Sequence, residues 1–239
     1  MINNVFEDKY ASLRKKEGRV YSDTEVLKLP SISSSHAFYK EWAIRKRSCK
    51  KLLRYLKKKE AVQNILEIGC GNGWLSAQLA TNTKADTVGL DIDNIELEQA
   101  RKLFSPIQNL SFINADIIND EIFRDKKFDC IVFAASIQYF ESIKKIIETA
   151  LKHLAPQGEV HILDTNFYQA TEVISAQQRT KAYYTSLGFS GLEDYYFHHS
   201  VDELTIFQYK ILFDPASWRN ILSFNKTPFY WIVVKNQYH

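Results

Sequence analysis

Three glycines spaced two residues apart are the first group in this chain whose types and spacing suggest chemistry. Gly69, Gly71 and Gly73 follow the apolar run 64–68, and Trp74 begins a segment typical of a helix. Glycine lets a chain turn sharply and lets a ligand come close to the backbone. The free N–H groups at the start of the following helix would face the same ligand. The pattern predicts a loop that binds a small molecule.

Carboxylates follow the next two apolar runs of the chain. The run 86–93 ends in Asp91 and Asp93, about 20 residues beyond the glycines, where an open α/β sheet carries the acid that binds a ribose. Asp93 precedes a helical segment and has the form of its N-cap, so we assign the ribose hydroxyls to Asp91. Asp116 ends the run 109–116 and is equally typical of a turn or cap residue.

One position argues against a nicotinamide-binding loop. The dinucleotide fingerprint G-x-G-x-x-G needs a third glycine at position 74, which is Trp74. The chain has the order E-x-G-x-G-x-G over residues 67–73 instead. We therefore disfavour a nicotinamide-dependent oxidoreductase.

The candidates for proton transfer lie later in the chain. The strand-like run 127–136 leads into a short loop that contains Gln138 and Tyr139. Glutamine cannot act as a base, so any deprotonation would need another residue or be unnecessary. Tyr139, His198 and His199 are the candidate catalytic residues. Two adjacent histidines without further ligands do not indicate a metal, and we expect no metal site.

The elements that must position these residues form an alternating pattern of strands and helices. Four strand–helix units in succession predict right-handed crossovers and a parallel sheet. Glycines after the first strand and acids after the next two would then meet one ligand at the carboxyl ends of the strands. Residues 143–154 and 167–187 are typical of helices, and 159–164, 206–213 and 229–235 are typical of strands.

The first 60 residues differ from this pattern. Residues 1–36 have little periodicity and predict an extended arm with a loop, whereas 37–59 are typical of an amphipathic helix. Its apolar stripe comprises Phe38, Trp42, Cys49, Leu52, Leu53 and Leu56, and its basic face comprises Lys40, Arg47, Lys51, Arg54 and Lys58. We expect the basic face to be solvated, since no aromatic residues interleave it as RNA binding would favour. Arg45 lies within the apolar stripe.

Composition limits the class of protein. The chain has 239 residues, 45% of them hydrophobic and 25% charged, which is typical of one soluble α/β domain. A net charge of +3 is too small to indicate nucleic acid. No apolar run approaches the roughly 20 residues of a membrane span, and the first residues are not those of a secretory signal. We expect a cytoplasmic protein whose three cysteines are buried thiols.

Several of these segments are similar to those of one enzyme family. The E-x-G-x-G-x-G order at 67–73 resembles motif I of the class I S-adenosylmethionine-dependent methyltransferases, particularly the type 11-like branch that acts on small molecules. The run 127–136 resembles the family's motif IV in its small-molecule form, without the Asn-Pro-Pro-Tyr of DNA-base methyltransferases. The turn 155–158 resembles the L-x-P-G-G turn, with Gln157 in place of one glycine. The resemblance covers residues 64–165.

The resemblance implies a doubly wound, mostly parallel α/β sheet of seven strands, Rossmann-like, with an antiparallel last strand. Residues 1–60 would form an N-terminal arm and helical cap, and 61–239 the methyltransferase domain. Asp116 would accept a hydrogen bond from the adenine amino group of S-adenosylmethionine. The residues expected to contact this cofactor are Glu67, Gly69, Cys70, Gly71, Gly73, Asp91, Ile92, Asp116, Ile117, Ala134, Arg45 and Trp42. The residues expected to face the acceptor are Ser136, Gln138 and Tyr139.

The resemblance also implies transfer of a methyl group to an O, N or S atom of a small molecule, by a monomer or homodimer. An RNA methyltransferase and a non-catalytic S-adenosylmethionine-binding protein remain alternatives. For Arg45 two interpretations stay open. It could form a salt bridge to the core domain or extend to solvent past the helix edge. It could instead bind the cofactor's methionine carboxylate, with Trp42 closing the same site as part of a lid.

Overall fold

A seven-stranded mixed sheet organises the chain. The structure is a computed structural model that describes residues 4–59, 62–119, 121–123, 126–224 and 226–236. The strands are β1 (Asn64–Ile68), β2 (Asp86–Asp91), β3 (Leu110–Asn114), β4 (Phe128–Ala134), β5 (Leu154–Leu163), β6 (Gln208–Phe213) and β7 (Trp231–Lys235). Their order is β3-β2-β1-β4-β5-β7-β6. Strand β7 is antiparallel to β5 and β6, and the other pairs are parallel. The predicted fold class is confirmed.

Eight α-helices accompany these strands within the described ranges. They are α1 (Asn4–Lys16), α2 (Asp23–Val26), α3 (Tyr39–Leu56), α4 (Trp74–Thr83), α5 (Asn94–Phe104), α6 (Ile143–Lys152), α7 (Val173–Ser186) and α8 (Trp218–Ile221). Helix α5 begins at Asp93, whose side chain accepts hydrogen bonds from the N–H groups of Ile95 (2.9 Å) and Glu96 (3.1 Å). The predicted N-cap is thereby confirmed, and Asp91 stays available for another role.

Apolar side chains cover both faces of the sheet. On one face the buried stripe of α6, including Ile146 and Ile147, packs with Leu66 and Phe133. On the other face α3 and α4 pack against strand residues that point the opposite way, such as Val132. A parallel sheet buried on both faces explains the near-continuous apolar strands of the sequence.

Polar contacts fasten α3 to β5. Near the end of α3, the Tyr55 hydroxyl donates to the buried Glu159 carboxylate at 3.0 Å. Lys59 and Lys235 lie 2.5 Å and 3.0 Å from the same carboxylate. One turn after Arg45, the Ser48 hydroxyl donates to Asp164 at 2.5 Å. These bonds fix the helix that carries Arg45 and Trp42 over the carboxyl end of β5.

The prediction of an extended arm over residues 1–36 is wrong, because α1 and α2 lie within it. Helix α1 is held by contacts with distant segments rather than by a broad apolar stripe. Leu13 packs with Tyr184 and Leu192, and the Lys16 ammonium donates to the Leu187 carbonyl at 2.7 Å. Such contacts leave no periodic signal in the sequence.

Other boundaries shift by a few residues. The helix predicted over 167–187 begins later, because the Tyr168 N–H pairs with the His199 carbonyl before a 3-10 turn leads into α7. The last strand begins at Trp231. The predicted domain boundary between residues 60 and 61 lies outside the described residues. No helix in the described ranges combines the length and apolar character that a membrane crossing requires.

Candidate functional site

A cavity of about 800 Å³ lies where the carboxyl ends of the five parallel strands β1 to β5 meet. Its lining includes Ile68 at the end of β1, Asp91 at the end of β2, Ala134 at the end of β4 and Asp164 directly after β5. The volume is within the range of about 300–1,000 Å³ that small-molecule sites occupy. The order of the strands reverses between β1 and β4, which is where open α/β sheets bind ligands.

The glycine loop forms one edge of this cavity. Gly69 and Gly71 line it, and both have positive φ values. The positive φ of Gly71 favours glycine, whereas a Cβ atom there would meet only the end of the Glu96 side chain, at 2.6 Å. Gly73 differs, because it is not among the lining residues and its Cβ would lie 2.5 Å from the Phe112 ring. Gly73 therefore serves the packing of α4 rather than contact with the cavity.

Asp91 connects the glycine loop to the start of α5. Its carboxylate accepts from the Gly71 N–H at 2.7 Å and from the Asp93 N–H at 2.9 Å. Burial raises the pKa of this carboxyl, although the backbone hydrogen bonds act in the opposite direction. The neighbouring Ile92 lines the cavity as well. The carboxylate is thus held in one position at the cavity wall.

The acid after β3 lies on the same wall. Asp116 accepts from the Ile118 N–H at 2.9 Å and from the Asn119 amide at 2.5 Å. Both Asp116 and Ile117 line the cavity. Asp116 therefore makes a local turn and faces the cavity at once, so the two roles left open by its sequence position are compatible.

Two residues of α3 close the cavity from above the strand ends. Trp42 is buried, donates through Nε1 to the Tyr21 hydroxyl at 2.8 Å, and packs edge-on against Trp74. The Arg45 guanidinium lies 3.0 Å from a Glu41 carboxylate oxygen and faces the cavity. The ion pair of Arg45 is thus with a carboxylate of α3 itself rather than with one of the core domain.

Two acids with perturbed ionisation lie beside this helix. Glu67 is buried and accepts from the Ser76 hydroxyl at 2.5 Å, and burial raises its pKa to about 8. Asp164 has a positive φ of 53°, and burial raises its pKa while Arg45 and Ser48 oppose the shift. The sequence analysis missed Asp164, although an acid directly after a strand was the same signal that identified Asp91.

The loop after β4 is held by its own side chains. The Ser136 hydroxyl donates to the Ile68 carbonyl at 2.5 Å. The Gln138 amide donates to the Ala135 carbonyl at 2.8 Å and accepts from the Thr165 hydroxyl at 3.0 Å. Both side chains line the cavity, yet these bonds occupy the two ends of the Gln138 amide. The remaining lining residues predicted from sequence are Glu67, Cys70, Ala134 and Tyr139.

The two histidines do not reach the cavity lining. His198 Nε2 lies 2.8 Å from the Thr180 hydroxyl, and His199 Nε2 donates to the Phe140 carbonyl at 3.0 Å. Both are buried, and burial lowers their pKa values. The prediction that either serves as a general base has no geometric support. No group of three or more metal-ligating side chains occurs in the described part of the chain.

Helix α1 forms a wall that the sequence analysis did not predict. Tyr10, Leu13 and Arg14 of α1 line the cavity, as does Glu17 directly after the helix. The Tyr10 and Tyr139 hydroxyls are 3.1 Å apart, and Arg14 lies 3.9 Å from Glu96. The Arg14 Nε is buried and has no hydrogen-bond partner. The cavity therefore offers a cation, two ordered acids and exposed loop backbone to a polar ligand.

A family model described as "Methyltransferase domain" matches residues 58–225. The chain belongs to this family. The matched segment contains the glycine loop, the six strands β1 to β6 and the acids at the ends of the strands, and it leaves out β7. The resemblance to class I methyltransferases drawn from the sequence is confirmed.

Curated relatives of this methyltransferase-family chain match part of its length. It is 33% identical over 97 residues to malonyl-[acyl-carrier protein] O-methyltransferase of Priestia megaterium, covering 40% of this chain and 34% of that protein. Malonyl-[acyl-carrier protein] O-methyltransferase 2 of Ilyobacter polytropus is 30% identical over 122 residues, covering 50% of this chain and 46% of that protein. The chain thus spans less than half the length of these relatives. Ribosomal RNA small subunit methyltransferase A of Staphylococcus epidermidis is 26% identical over 129 residues.

Solved structures match nearly the whole chain. Magnesium protoporphyrin IX methyltransferase of Synechocystis, with bound S-adenosylhomocysteine (SAH), has a TM-score of 0.62 at 12% identity, covering 98% of this chain and 99% of that one. The plantazolicin methyltransferase BpumL, in complex with a substrate analogue and SAH, has a TM-score of 0.58 at 19% identity, covering 98% of each. These similarities show that the fold shared with these methyltransferases extends over 98% of the chain.

Proposed function

We propose that this protein transfers the methyl group of S-adenosylmethionine to a small-molecule acceptor. The observation that carries the proposal is the arrangement at the carboxyl ends of β1 and β2, where Asp91 holds the Gly71 N–H at the cavity wall. The Asp91 carboxylate and the Gly71 backbone together suit a ribose lying across the glycine loop, with its hydroxyls on the carboxylate. Family membership and the SAH of the neighbouring structures support the same cofactor.

The lining accounts for each part of the cofactor. Asp116 and the Ile117 N–H would hold the adenine, and Arg45, with Trp42 beside it, would hold the methionine part. The remaining residues that would contact the cofactor are Glu67, Gly69, Cys70, Ile92 and Ala134. The sulfonium of the bound cofactor supplies the activated methyl group. The protein's task is to orient the acceptor and to exclude water, for which α1 and α3 are suited because they lie over the strand ends.

Within this proposal, residues 1–60 act as a cap and 61–239 as the methyltransferase domain. Ser136, Gln138 and Tyr139 face the acceptor. The O-methyltransferases among the relatives favour an oxygen as the acceptor atom. The buried free thiols of Cys49, Cys70 and Cys130 favour a reducing, cytoplasmic setting.

An RNA acceptor is the second candidate, because one relative is a ribosomal RNA methyltransferase. The basic face of α3 is the feature of the described residues that supports it. The cavity argues against it, since its walls are closed by α1 and α3 and are lined by tyrosines rather than by a basic groove. RNA binding that weakens steeply with salt would favour this candidate.

Calorimetry tests the proposal directly. We expect the full chain to bind S-adenosylmethionine and SAH with micromolar affinity, about 7–8 kcal/mol, and not to bind NADH. If neither S-adenosylmethionine nor SAH gives a heat of binding, on protein shown to be folded by circular dichroism, the proposal is overturned. Labelled cofactor incubated with fractionated cell extract then identifies the acceptor by the methyl group it gains.

Arg45→Lys tests the methionine end of the site. Lysine keeps the charge but loses the planar fork that can bind a carboxylate through two bonds. We expect SAH affinity to fall about tenfold, a loss of about 1.4 kcal/mol, while the melting temperature without ligand changes little. 5′-Methylthioadenosine, which lacks the amino-acid part, is the matched control ligand and should bind both proteins equally. Equal SAH affinity in parent and variant would make Arg45 a structural residue.

A further inference from the structure

A short stretch between β6 and β7 exposes large apolar side chains to solvent. Trp218 is 67% exposed, Ile221 is 56% exposed, Leu222 is 75% exposed and Phe224 is fully exposed. We call these four residues the apolar loop. Large apolar side chains that gather in one place on a protein surface mark a contact with a partner molecule or with a membrane.

Polar contacts give the apolar loop a defined shape. The buried Asn220 side chain donates to the Pro215 carbonyl at 2.7 Å and to the Thr227 carbonyl at 3.0 Å. Its oxygen accepts from the Thr227 N–H at 3.0 Å. These bonds join the two ends of the loop, so its apolar side chains are displayed on a closed turn that includes α8.

The basic face of α3 borders this loop. The Arg47 guanidinium donates to the Lys226 carbonyl at 3.4 Å, shortly after the loop. The Lys51 ammonium lies 4.2 Å from the centroid of the Phe213 ring, shortly before the loop. Cations of α3 therefore lie beside both ends of the apolar loop, and the two features form one surface.

Positive charge is concentrated on this helix. Helix α3 carries seven Lys and Arg residues and one acid, Glu41, whereas the whole chain has a net charge of +3. In the described ranges, the ion pairs of α3 and its end involve Glu41, Arg45 and Lys59, and none involves the basic face. Burial lowers the pKa of Lys51, and the neighbouring cations Arg47 and Arg54 lower it further. The face therefore presents an accumulated positive field.

The acids close to this surface do little to offset that field. Asp164 is buried and accepts from Ser48, and its effect on Lys51 is smaller than that of the cations. Asp214 is the one acid in residues 214–230, where it is outnumbered by Arg219 and Lys226. An apolar loop beside a basic amphipathic helix is the combination that binds an anionic membrane surface.

We infer that the apolar loop and the basic face of α3 together bind the surface of a bilayer that contains anionic lipids. The apolar side chains enter the boundary between headgroups and acyl chains, and the cations meet the lipid phosphates and carboxylates. Binding of this kind needs no membrane-crossing helix. The bound surface adjoins the cavity, because the chain continues from the loop to Phe229 in the cavity lining.

The composition of the surface favours a bilayer over two other partners. A second copy of the chain would need about 20–30 residues on each side of the contact, and a symmetric contact would bring two basic faces together. RNA would use the cations and could stack on aromatic rings, but it offers no apolar medium to Ile221 and Leu222. A bilayer accommodates the aliphatic, aromatic and basic residues at once.

The experiment uses the full chain and two kinds of vesicle at physiological salt. One kind contains phosphatidylcholine alone, and the other contains equal parts of phosphatidylcholine and phosphatidylserine. We expect the chain to sediment with the phosphatidylserine vesicles and to bind phosphatidylcholine at least about tenfold more weakly. Added salt should weaken the binding, because the headgroup contacts are electrostatic.

Trp218 reports the contact directly. It is the exposed one of the four tryptophans, since Trp42, Trp74 and Trp231 are buried. Binding should shift the emission to shorter wavelengths, because the Trp218 indole leaves water. Trp218→Phe should remove most of this shift, while the chain still sediments with the vesicles.

Paired substitutions separate the two parts of the surface. Leu222→Gln together with Phe224→Gln should weaken binding to phosphatidylserine vesicles about tenfold or more. Arg47→Gln together with Arg54→Gln should do the same through charge, also by about tenfold or more. The matched controls are Ile95→Gln and Arg101→Gln, both on α5 at the opposite edge of the sheet from β6, where Ile95 is 72% exposed and Arg101 is exposed.

Each contrary result identifies a different surface. Equal binding to both kinds of vesicle, binding to neither, or binding that neither pair of substitutions weakens would overturn the inference. A parent dimer that Leu222→Gln with Phe224→Gln dissociates in sedimentation velocity would make the loop a contact between copies instead. Tighter binding to an RNA oligonucleotide than to the phosphatidylserine vesicles would make the basic face a nucleic-acid surface. SAH binding by the same samples keeps these outcomes separate from the methyltransferase proposal.

Discussion

At the scale of single residues, Asp91 joins two parts of the site through one carboxylate. Its two oxygens hold the Gly71 and Asp93 N–H groups, so the loop and the start of α5 keep a fixed spacing. Asp93, two residues later, caps α5 and is partly exposed. Both acids line the cavity, but only Asp93 caps the helix, whereas Asp91 binds the glycine loop.

Alanine at Asp91 and at Asp93 should have different effects. Asp91→Ala would remove the proposed charge-assisted contact to the ribose, and should cost about 1.5–3 kcal/mol of SAH binding, tenfold or more. Asp93→Ala removes a helix cap worth about 1 kcal/mol, which should lower the melting temperature by roughly 2–4 °C and leave SAH affinity near the parent value. Calorimetry and thermal unfolding measure the two effects. If the affinities fall in the opposite order, Asp93 holds the ribose.

Glu67 should couple cofactor binding to pH. Burial raises its pKa to about 8, so it is mainly protonated in the free protein at pH 7. The cofactor's ammonium or sulfonium would favour the ionised form, because an opposite charge lowers a carboxyl pKa. Binding should therefore release a proton, and affinity should rise between about pH 6 and 8 by up to roughly tenfold per pH unit.

Calorimetry in buffers of different ionisation enthalpy measures this proton. Glu67→Gln should remove the dependence on buffer, whereas Glu96→Gln controls for a second cavity-lining glutamate, whose pKa burial raises to about 7. A binding enthalpy that is the same in every buffer would show that Glu67 does not change ionisation.

At the scale of elements, the start of α4 depends on Gly73, which leaves room for close packing with β3 and α5. Gly73 has a φ of 74° and lies against the Phe112 ring and Ala100. Gly71 also has a positive φ, but its neighbour is the carboxylate end of the Glu96 side chain at the cavity. The two glycines look equivalent in the sequence, and their surroundings distinguish them.

Alanine at each glycine should give different outcomes. Gly73→Ala places alanine in the left-handed backbone region and brings its Cβ against the Phe112 ring. It should destabilise the fold by roughly 2–4 kcal/mol. Gly71→Ala should cost about 1–2 kcal/mol of stability and, because it adds a methyl group at the cavity edge, should weaken SAH binding more than Gly73→Ala does. Denaturant unfolding and calorimetry on the folded variants test this. A Gly73→Ala protein as stable as Gly71→Ala would contradict the packing role.

The elements also show which parts of the structure can be predicted from sequence. The strands, the glycine loop and the cap of α5 follow from local apolar runs, glycines and a carboxylate before a helix. Helix α1 could not be predicted, since its contacts are to Tyr139, Leu187 and Leu192, far along the chain. The positions of His198 and His199 depend on the same distant packing.

At the scale of the whole molecule, the order of strands determines where the site lies. Chain connections leave β1 toward β2 on one side and reach β4 on the other, so their carboxyl ends open a crevice between them. The sequence predicted this edge because glycines and acids ended successive apolar runs. It could not predict the walls, because residues from Tyr10 to Phe229 contribute to them.

That dispersal of the cavity wall along the chain has a kinetic consequence. A site that needs both α1 and the segment before β7 is complete only after nearly all long-range contacts have formed, so the folding transition state should lack it. SAH at about 100 times its Kd stabilises the native state by about 2.7 kcal/mol, which should appear as roughly hundredfold slower unfolding with little change in the refolding rate. Denaturant-jump fluorescence measures both rates. Faster refolding in the presence of SAH would mean instead that the glycine loop and its neighbours assemble early enough to bind.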